Sequence, residues 1–203
     1  MAFWEELMGG SENKEEKAKE LCAKASEYFD IKDFKNALLA YSKAISICPE
    51  YSEAYRDRGL LHYNMNNYEL AESDFNIALE LNSSDAELYC LMGTLHRKQG
   101  LLKEEIFDYD KALKLRPNYE EAYYNRGYVY FMLLDLDKSL ADYTSAIKFN
   151  PNFIQAYLNR GIVFSLKGDY EKAEADFGKV KSLGGEVPPE MIEAVNKLKN
   201  KDK

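Results

Sequence analysis

The chain has 203 residues, with 27 lysines and arginines against 35 aspartates and glutamates, giving a net charge of −8. This acidic balance argues against a nucleic acid or an anionic membrane surface as partner, because both attract proteins with a positive surface. No apolar run approaches the roughly 18 residues that a membrane-spanning helix needs. We therefore expect no nucleic-acid partner and no membrane partner.

The cysteines and the start of the chain bear on cellular location. Cys22, Cys48 and Cys90 are far apart, and no pair has the C-x-x-C spacing of a metal or redox site. The first residues lack the basic and long apolar regions of a secretion signal. An odd number of cysteines without such a signal predicts free thiols in a reducing compartment, and hence a cytoplasmic protein.

The sequence repeats itself every 34 residues. In residues 120–151, Tyr123, Gly127 and Tyr130 fall on one predicted helix, and Tyr143 and Ala146 fall on a second. The same residue types return one period away, at Tyr89, Gly93, Tyr109, Ala112, Tyr157, Gly161, Phe164 and Phe177. A fixed period of this length is typical of arrays of helical hairpins, in which each hairpin buries its apolar face against its neighbours.

The order aromatic, Gly, aromatic, Ala, aromatic, Ala, Pro is similar to that of the tetratricopeptide repeat family, over about residues 18–187. The resemblance implies an all-α fold, a right-handed α-solenoid of five helix-turn-helix repeats at about 18–51, 52–85, 86–119, 120–153 and 154–187. We expect an N-terminal lead peptide at 1–13, repeats within 14–187 and a C-terminal capping helix at 188–203. The apolar stripe of the cap comprises Met191, Ile192, Val195 and Leu198.

The lead peptide contains two large aromatic residues, Phe3 and Trp4. Gly9 and Gly10 predict a break before the next helix, for which Asn13 is a suitable N-cap. Two roles stay open for the aromatic pair. It covers the end of the first repeat, or it inserts into a groove on a second copy or a partner.

Three arginines recur at one position of the first helix of a repeat, and each precedes an aspartate by 16 residues. This pattern predicts ion pairs that join the two helices of a repeat, at Arg58 and Asp74, Arg126 and Asp142, and Arg160 and Asp176. Repeat three keeps the aspartate, Asp108, but has Met92 at the arginine position. These pairs are expected to be structural.

Several positions depart from the repeat pattern. Glu105 stands where three repeats have alanine, and we expect its carboxylate to lean into solvent or to pair with a group such as His96. His62 and His96 occupy a position that is aromatic in other repeats, which favours a packing role over metal binding. No catalytic, cofactor-binding or metal-binding residue is predicted.

In the family, the first helix of each repeat lines a concave groove. The resemblance places the candidate partner-binding residues there: Leu60, Tyr63, Glu87, Leu91, Glu121, Tyr124, Asn125, Tyr128, Phe131, Leu158, Asn159 and Ile162. Asn125 and Asn159 each offer a donor and an acceptor to a peptide backbone. Phe131, Met132 and Leu166 have an alternative interpretation as core around the turn between the two helices.

The predicted function is a protein–protein interaction scaffold or adaptor, not an enzyme, that binds a peptide or helix in the groove of repeats three to five. Its partner would have apolar or aromatic and some basic character, and no cofactor is expected. The alternative is a self-assembling scaffold, a homodimer through the lead peptide or the groove. A chaperone-tail clamp is disfavoured, because its basic and amide positions are here filled by Cys22, Ser26, Asp57, Glu87 and Leu91.

Overall fold

The computed structural model describes the backbone of residues 2–201 and the side chains of residues 13–193, 195–197 and 199. In that part of the chain all regular structure is helical and no strand occurs. Its helices are α1 Ala2–Asp30, α2 Phe34–Ile47, α3 Ser52–Asn64, α4 Tyr68–Leu81, α5 Ala86–Gln99, α6 Leu102–Leu115, α7 Glu120–Met132, α8 Leu136–Phe149, α9 Ile154–Leu166, α10 Tyr170–Ser182 and α11 Pro189–Lys201.

The helices pack as hairpins, α1 with α2, α3 with α4, α7 with α8 and α9 with α10. The first helices α3, α5, α7 and α9 begin 34 residues apart, as the repeat in the sequence requires. The all-α fold of paired repeat helices is thereby confirmed. The chain divides into two compact units, which we call the N unit (residues 1–95) and the C unit (residues 96–203).

Each unit has its own core of small and aromatic residues. In the N unit, Ala25, Ala37, Tyr41 and Ala44 are buried together. In the C unit, the capping helix α11 contributes Val195 to a cluster that includes Phe177 and Val180. Met191 and Ile192 pack against the same cluster, as their apolar stripe predicts, whereas the side chain of Leu198 lies outside the described residues.

Glycine in the first helix allows the second helix to approach closely. A Cβ atom built on Gly161 would lie 2.7 Å from a ring carbon of Phe177, and one built on Gly59 would lie 2.6 Å from a ring carbon of Phe75. Neither distance is compatible with van der Waals contact. A larger side chain at either position therefore has to displace a buried ring.

The turn between the two helices of a hairpin places one residue in the left-handed region in every repeat. These residues are Lys32, Asn66, Gly100, Leu134 and Gly168, with φ between 59° and 80°. Glycine and asparagine tolerate this conformation, whereas the branched side chain of Leu134 crowds the backbone. Leu134 is also 77% exposed, so packing does not compensate for the strain.

The start of the chain differs from expectation. Helix α1 begins at Ala2 and continues to Asp30, so the break at Gly9 and Gly10 and the helix start at Asn13 were wrong. Two adjacent glycines weaken a helix but do not by themselves end one. The side chains of Phe3 and Trp4 lie outside the described residues, so their two roles stay predictions.

Candidate functional site

The three predicted arginine–aspartate pairs are formed, each with two parallel hydrogen bonds. Arg58 donates from Nε and Nη2 to the two carboxylate oxygens of Asp74 at 2.8 and 2.7 Å. Arg126 with Asp142 and Arg160 with Asp176 show the same geometry at 2.7–2.8 Å. Because the aspartates are buried, each pair neutralises a carboxylate that would be costly alone.

The remaining guanidinium nitrogen, Nη1, reaches the preceding repeat. It donates to Ser42 Oγ from Arg58 at 3.3 Å, to Asp110 Oδ1 from Arg126 at 2.5 Å and to Thr144 Oγ1 from Arg160 at 3.2 Å. One arginine thus joins its own two helices and the second helix of the repeat before it. The 16-residue spacing to the aspartate predicts the first link. The acceptors of the second link also lie 16 residues from each arginine, on its N-terminal side, but they are Ser, Asp and Thr, so their residue types do not mark them as partners.

Repeat three satisfies its buried polar groups differently. Asp108 has no arginine partner, and its Oδ2 lies 2.6 Å from Nδ1 of His96. Burial raises the pKa of Asp108 to about 6, and the adjacent histidine opposes that rise. His96 is thus paired with Asp108, and His96 as the expected partner of Glu105 was wrong.

Glu105 is instead held by Arg97, one residue further along α5. The carboxylate is 1% exposed, and its Oε1 accepts a hydrogen bond of 2.5 Å from Arg97 Nε. Of the two expected alternatives, exposure of Glu105 to solvent was wrong, whereas pairing with a nearby group is observed, with Arg97 in place of His96. Burial raises the pKa of Glu105, and the ion pair with Arg97 opposes this shift.

Arg97 also connects Glu105 to helix α7. Its Nη2 donates to Tyr109 OH at 2.9 Å and to the backbone oxygen of Asn125 at 3.2 Å. Its guanidinium lies 5.1 Å from the ring centroid of Tyr128. Four contacts thus fix the side chain of Arg97. Two of them are to Asn125 and Tyr128 of α7, which the sequence predicts to lie at a partner-binding surface.

The predicted binding residues of the C unit come together where α7 and α9 meet. Asn159 Nδ2 donates to Tyr124 OH at 3.2 Å, and the rings of Tyr128 and Phe131 lie 6.4 Å apart. We call Tyr124, Asn125, Tyr128, Phe131 and Asn159 the α7–α9 face. All five residues are half-buried, so each retains surface that a ligand can contact.

Other predicted binding residues of the C unit are used differently. Leu158 and Ile162 are half-buried and pack against the cluster of Phe177 and Val195. Glu121 is exposed on the first turn of α7. Their helical position was predictable, whereas their coverage by α10 and α11 was not.

Two residues that were candidates for core are in fact at the surface. Met132 is 60% exposed and Leu166 is 58% exposed, so the alternative interpretation of both as core around the turn was wrong. Phe131 is half-buried and contributes to the α7–α9 face. Side chains in the last turn of a first helix therefore differ in burial, since Val129 and Val163 in the same turns are buried.

The N unit contains the remaining predicted residues on its own first helices. Leu60, Tyr63 and Leu91 are half-buried and pack around Phe75 and Leu95. Nearby, Arg56 Nη1 lies 3.3 Å from Asp85 and 3.7 Å from Glu87, and Arg56 Nε lies 3.0 Å from Asp57. One arginine among three carboxylates leaves this surface acidic.

Charge is distributed unevenly between the units. The N unit has 18 acidic and 9 basic residues, a net charge of −9, and the C unit has 17 acidic and 18 basic residues, a net charge of +1. The expected basic character of a partner would therefore suit the N unit. The C unit, which carries the α7–α9 face, is close to neutral, so its net charge would not attract a basic partner.

Comparison with known proteins identifies the repeats. Family models described as Tetratricopeptide repeat match residues 52–85, 120–153 and 143–175, and one described as TPR repeat matches residues 25–66 and 102–133. The chain belongs to the tetratricopeptide repeat family. The resemblance drawn from the 34-residue spacing is thereby confirmed.

Individual relatives of this tetratricopeptide repeat protein share parts of its sequence or its fold. Human serine/threonine-protein phosphatase 5 is 37% identical over 65 residues, which are 32% of this chain and 13% of the phosphatase. The crystal structure of MamA superposes with a TM-score of 0.70 at 25% identity, covering 79% of this chain and 94% of MamA. Pseudomonas aeruginosa pilF has a TM-score of 0.84 at 16% identity, covering 94% of this chain and 88% of pilF.

Other kinds of site find no support in the residues that the structure describes. They contain no helix long and apolar enough to cross a membrane. No group of three or more His, Cys, Asp or Glu side chains among them is placed to hold a metal ion. Cys22, Cys48 and Cys90 form no disulfide bond with one another, and burial raises the pKa of Cys22.

Proposed function

We propose that the α7–α9 face binds a short peptide or a helix of a protein partner, so that the chain acts as an interaction adaptor. The observation that carries the proposal is the fixation of Arg97 by Glu105, Tyr109 and the backbone of Asn125. This anchoring holds Tyr128 in place before a ligand arrives. Binding then costs less conformational entropy than it would on a mobile surface.

The chemistry of the face suits a peptide with apolar or aromatic side chains. Tyr124, Tyr128 and Phe131 provide half-exposed rings, which contribute strongly to binding at the centre of interfaces. Asn159 on α9 contacts the hydroxyl of Tyr124 and offers amide groups for a peptide backbone. Since the net charge of the C unit is close to zero, side-chain packing rather than long-range attraction would dominate affinity.

The test is selection and titration of peptides. An arrayed library of ten-residue peptides is screened on the full chain, and the selected peptides are titrated by fluorescence polarisation. Tyr128→Ala should weaken binding at least about tenfold, because it removes a central aromatic contact. Phe107→Ala is the matched control, since Phe107 is a 57% exposed aromatic residue on the second helix α6.

The result that would overturn the proposal is equally clear. If the selected peptides bind Tyr128→Ala as tightly as the unchanged protein, or lose affinity equally in Phe107→Ala, the α7–α9 face is not their binding site. Circular dichroism of both variants checks that their helices are intact. Ile162→Ala is unsuitable for this test, because Ile162 packs against the core of the C unit.

A further inference from the structure

A small apolar pocket lies between α10 and the capping helix α11. Its volume is about 190 Å³, and its apolar wall is formed by Phe177, Ile192 and Val195. Phe177 and Val195 are buried, whereas Gly178 and Asn196 at the same pocket are exposed, so the pocket opens to the surface. Sites for drug-sized ligands have volumes of about 300–1,000 Å³. This pocket is therefore suited to a single inserted side chain.

The residue types at this last junction between repeats explain the pocket. At three earlier junctions an arginine of the following first helix donates to a side chain of the preceding second helix, as Arg160 does to Thr144. One period later these two positions are occupied by Gly178 and Ala194. A Cβ atom built on Gly178 would have no neighbour within 4 Å among the described residues. The space that a guanidinium and its acceptor fill elsewhere is thus left open.

The rim of the pocket is basic. Lys181 lines it, is exposed, and has no ion-pair partner among the residues that the structure describes. Glu174, the acidic residue at the rim, is already paired with Lys199 at 2.7 Å. One uncompensated ammonium group beside an apolar wall favours a ligand that combines an aromatic side chain with a carboxylate.

The lead peptide of this chain combines these two properties. In it Phe3 and Trp4 are followed directly by Glu5 and Glu6, and it contains no lysine or arginine. Its acidic character matches that of the N unit, whose net charge is −9, against +1 for the C unit that carries the pocket. The charges therefore favour contact between the lead peptide of one copy and the pocket of another.

Helix α1 is long enough to present the lead peptide to a neighbouring molecule. It begins at Ala2, although the 34-residue period would start the first helix of repeat one near residue 18. Residues 2–17 add about 24 Å of helix before that point. Residues 13–17, at the base of this extension, are all exposed, whereas Ala18 is buried. The extension therefore leaves the packed part of repeat one and can reach a second copy.

We propose that the pocket between α10 and α11 receives the indole ring of Trp4 from a second copy of this chain. The ring packs on the apolar wall, and its Nε1–H donates to the side-chain oxygen of Asn196 at the rim. The two glutamates that follow the ring approach Lys181. This contact is independent of peptide binding by the α7–α9 face, because the pocket and the face are formed by different residues.

The chain has a single tryptophan, so the tryptophan fluorescence of the full chain reports on Trp4 alone. The protein is diluted from about 100 μM to about 0.1 μM, and its emission maximum and its sedimentation coefficient are recorded at each step. We expect both to change over the same concentration range. The coefficient rises with concentration, and the emission maximum moves to shorter wavelength because the indole passes from water into the pocket.

Filling the pocket should prevent both changes. Gly178→Leu places a side chain in the open space and should weaken association at least about tenfold. Leucine is a better helix former than glycine, so the melting temperature of this variant should not fall. Ala175→Leu is the matched control, since Ala175 is exposed on the same helix and is not among the residues that line the pocket. It should associate like the unchanged protein.

Several results would overturn this contact. A protein that is monomeric at every concentration excludes it, and a short emission wavelength at every concentration places Trp4 against its own copy. Association that persists in Gly178→Leu, or that is lost equally in Ala175→Leu, excludes the pocket as its site. Each of these outcomes leaves peptide binding by the α7–α9 face intact, since that function is tested by Tyr128→Ala.

Discussion

His96 and Asp108 form a buried contact of 2.6 Å in the repeat that lacks the arginine found in its neighbours. In repeat three, His96 thus replaces the guanidinium that pairs, in repeats two, four and five, with the aspartate at this position of the second helix. His62 holds the same repeat position one period earlier, but its Nδ1 has no partner in the described part of the chain. We therefore expect the two histidines, although they occupy equivalent repeat positions, to contribute differently to the stability of the fold.

The first prediction separates these histidines. His96→Phe leaves Asp108 buried without its partner and should lower the free energy of unfolding by about 1–3 kcal/mol. His62→Phe is the matched control, since it removes an unpaired buried nitrogen and should be neutral or stabilising. Urea titration followed by circular dichroism measures both. Equal losses in the two variants would show that only ring packing matters.

The second prediction concerns acid stability. Burial lowers the pKa of His62, so below about pH 6.5 the unfolded chain takes up a proton that the folded chain resists. Stability contributed by neutral His62 is therefore lost as the pH falls from about 7 to 5. His62→Phe should show a smaller decrease in melting temperature over this range. Parallel curves for the two proteins would contradict the assignment.

The third prediction concerns the buried carboxylate of repeat three. Arg97→Leu leaves Glu105 without its charge partner and should cost about 2–3 kcal/mol, at the lower end for buried pairs because Arg97 is 29% exposed. The double variant Arg97→Leu with Glu105→Ala should recover most of this loss. Alanine stands at this position in three repeats. Urea titration of the unchanged protein, the single variants Arg97→Leu and Glu105→Ala, and the double variant gives the coupling energy, and additive losses would argue against the pair.

The fourth prediction compares two glycines of the last hairpin. Gly161→Ala should destabilise the chain by about 1–3 kcal/mol, because the new methyl group meets the buried ring of Phe177. Gly178→Ala has open space on α10 and should stabilise by about 0.5–1 kcal/mol through helix propensity. Thermal melts monitor both changes. Changes of the same sign would refute the close-approach argument.

The fifth prediction tests strain in the turn of repeat four. Leu134→Asn should raise stability by about 0.5–1 kcal/mol, because asparagine tolerates a positive φ and already stands at the equivalent Asn66. Leu133→Asn is the adjacent control, since Leu133 has φ −83° and gains nothing from the change. A shift in melting temperature shared by both variants would reflect lost surface apolarity instead.

Much of the fold follows from the sequence because one 34-residue pattern recurs with the same small and aromatic positions. The partner of Glu105 was not predictable in the same way. His96 and Arg97 are neighbours in α5, but successive helical residues point about 100° apart, so only one of them can face α6 at Glu105. Spacing alone does not decide which residue does.

The candidate site was predictable in its location but not in its exposure. The register placed Tyr124, Tyr128, Leu158 and Ile162 on first helices, and it could not show that α10 and α11 cover much of Leu158 and Ile162.

The arginines that hold two successive hairpins also determine how the chain can open. Arg58 must release Asp74 and Ser42, and Arg160 must release Asp176 and Thr144, before either helix pair can separate. Neighbouring hairpins should therefore exchange their amide hydrogens as linked segments rather than singly. A destabilising substitution in one hairpin would then also increase local unfolding of the adjoining hairpin.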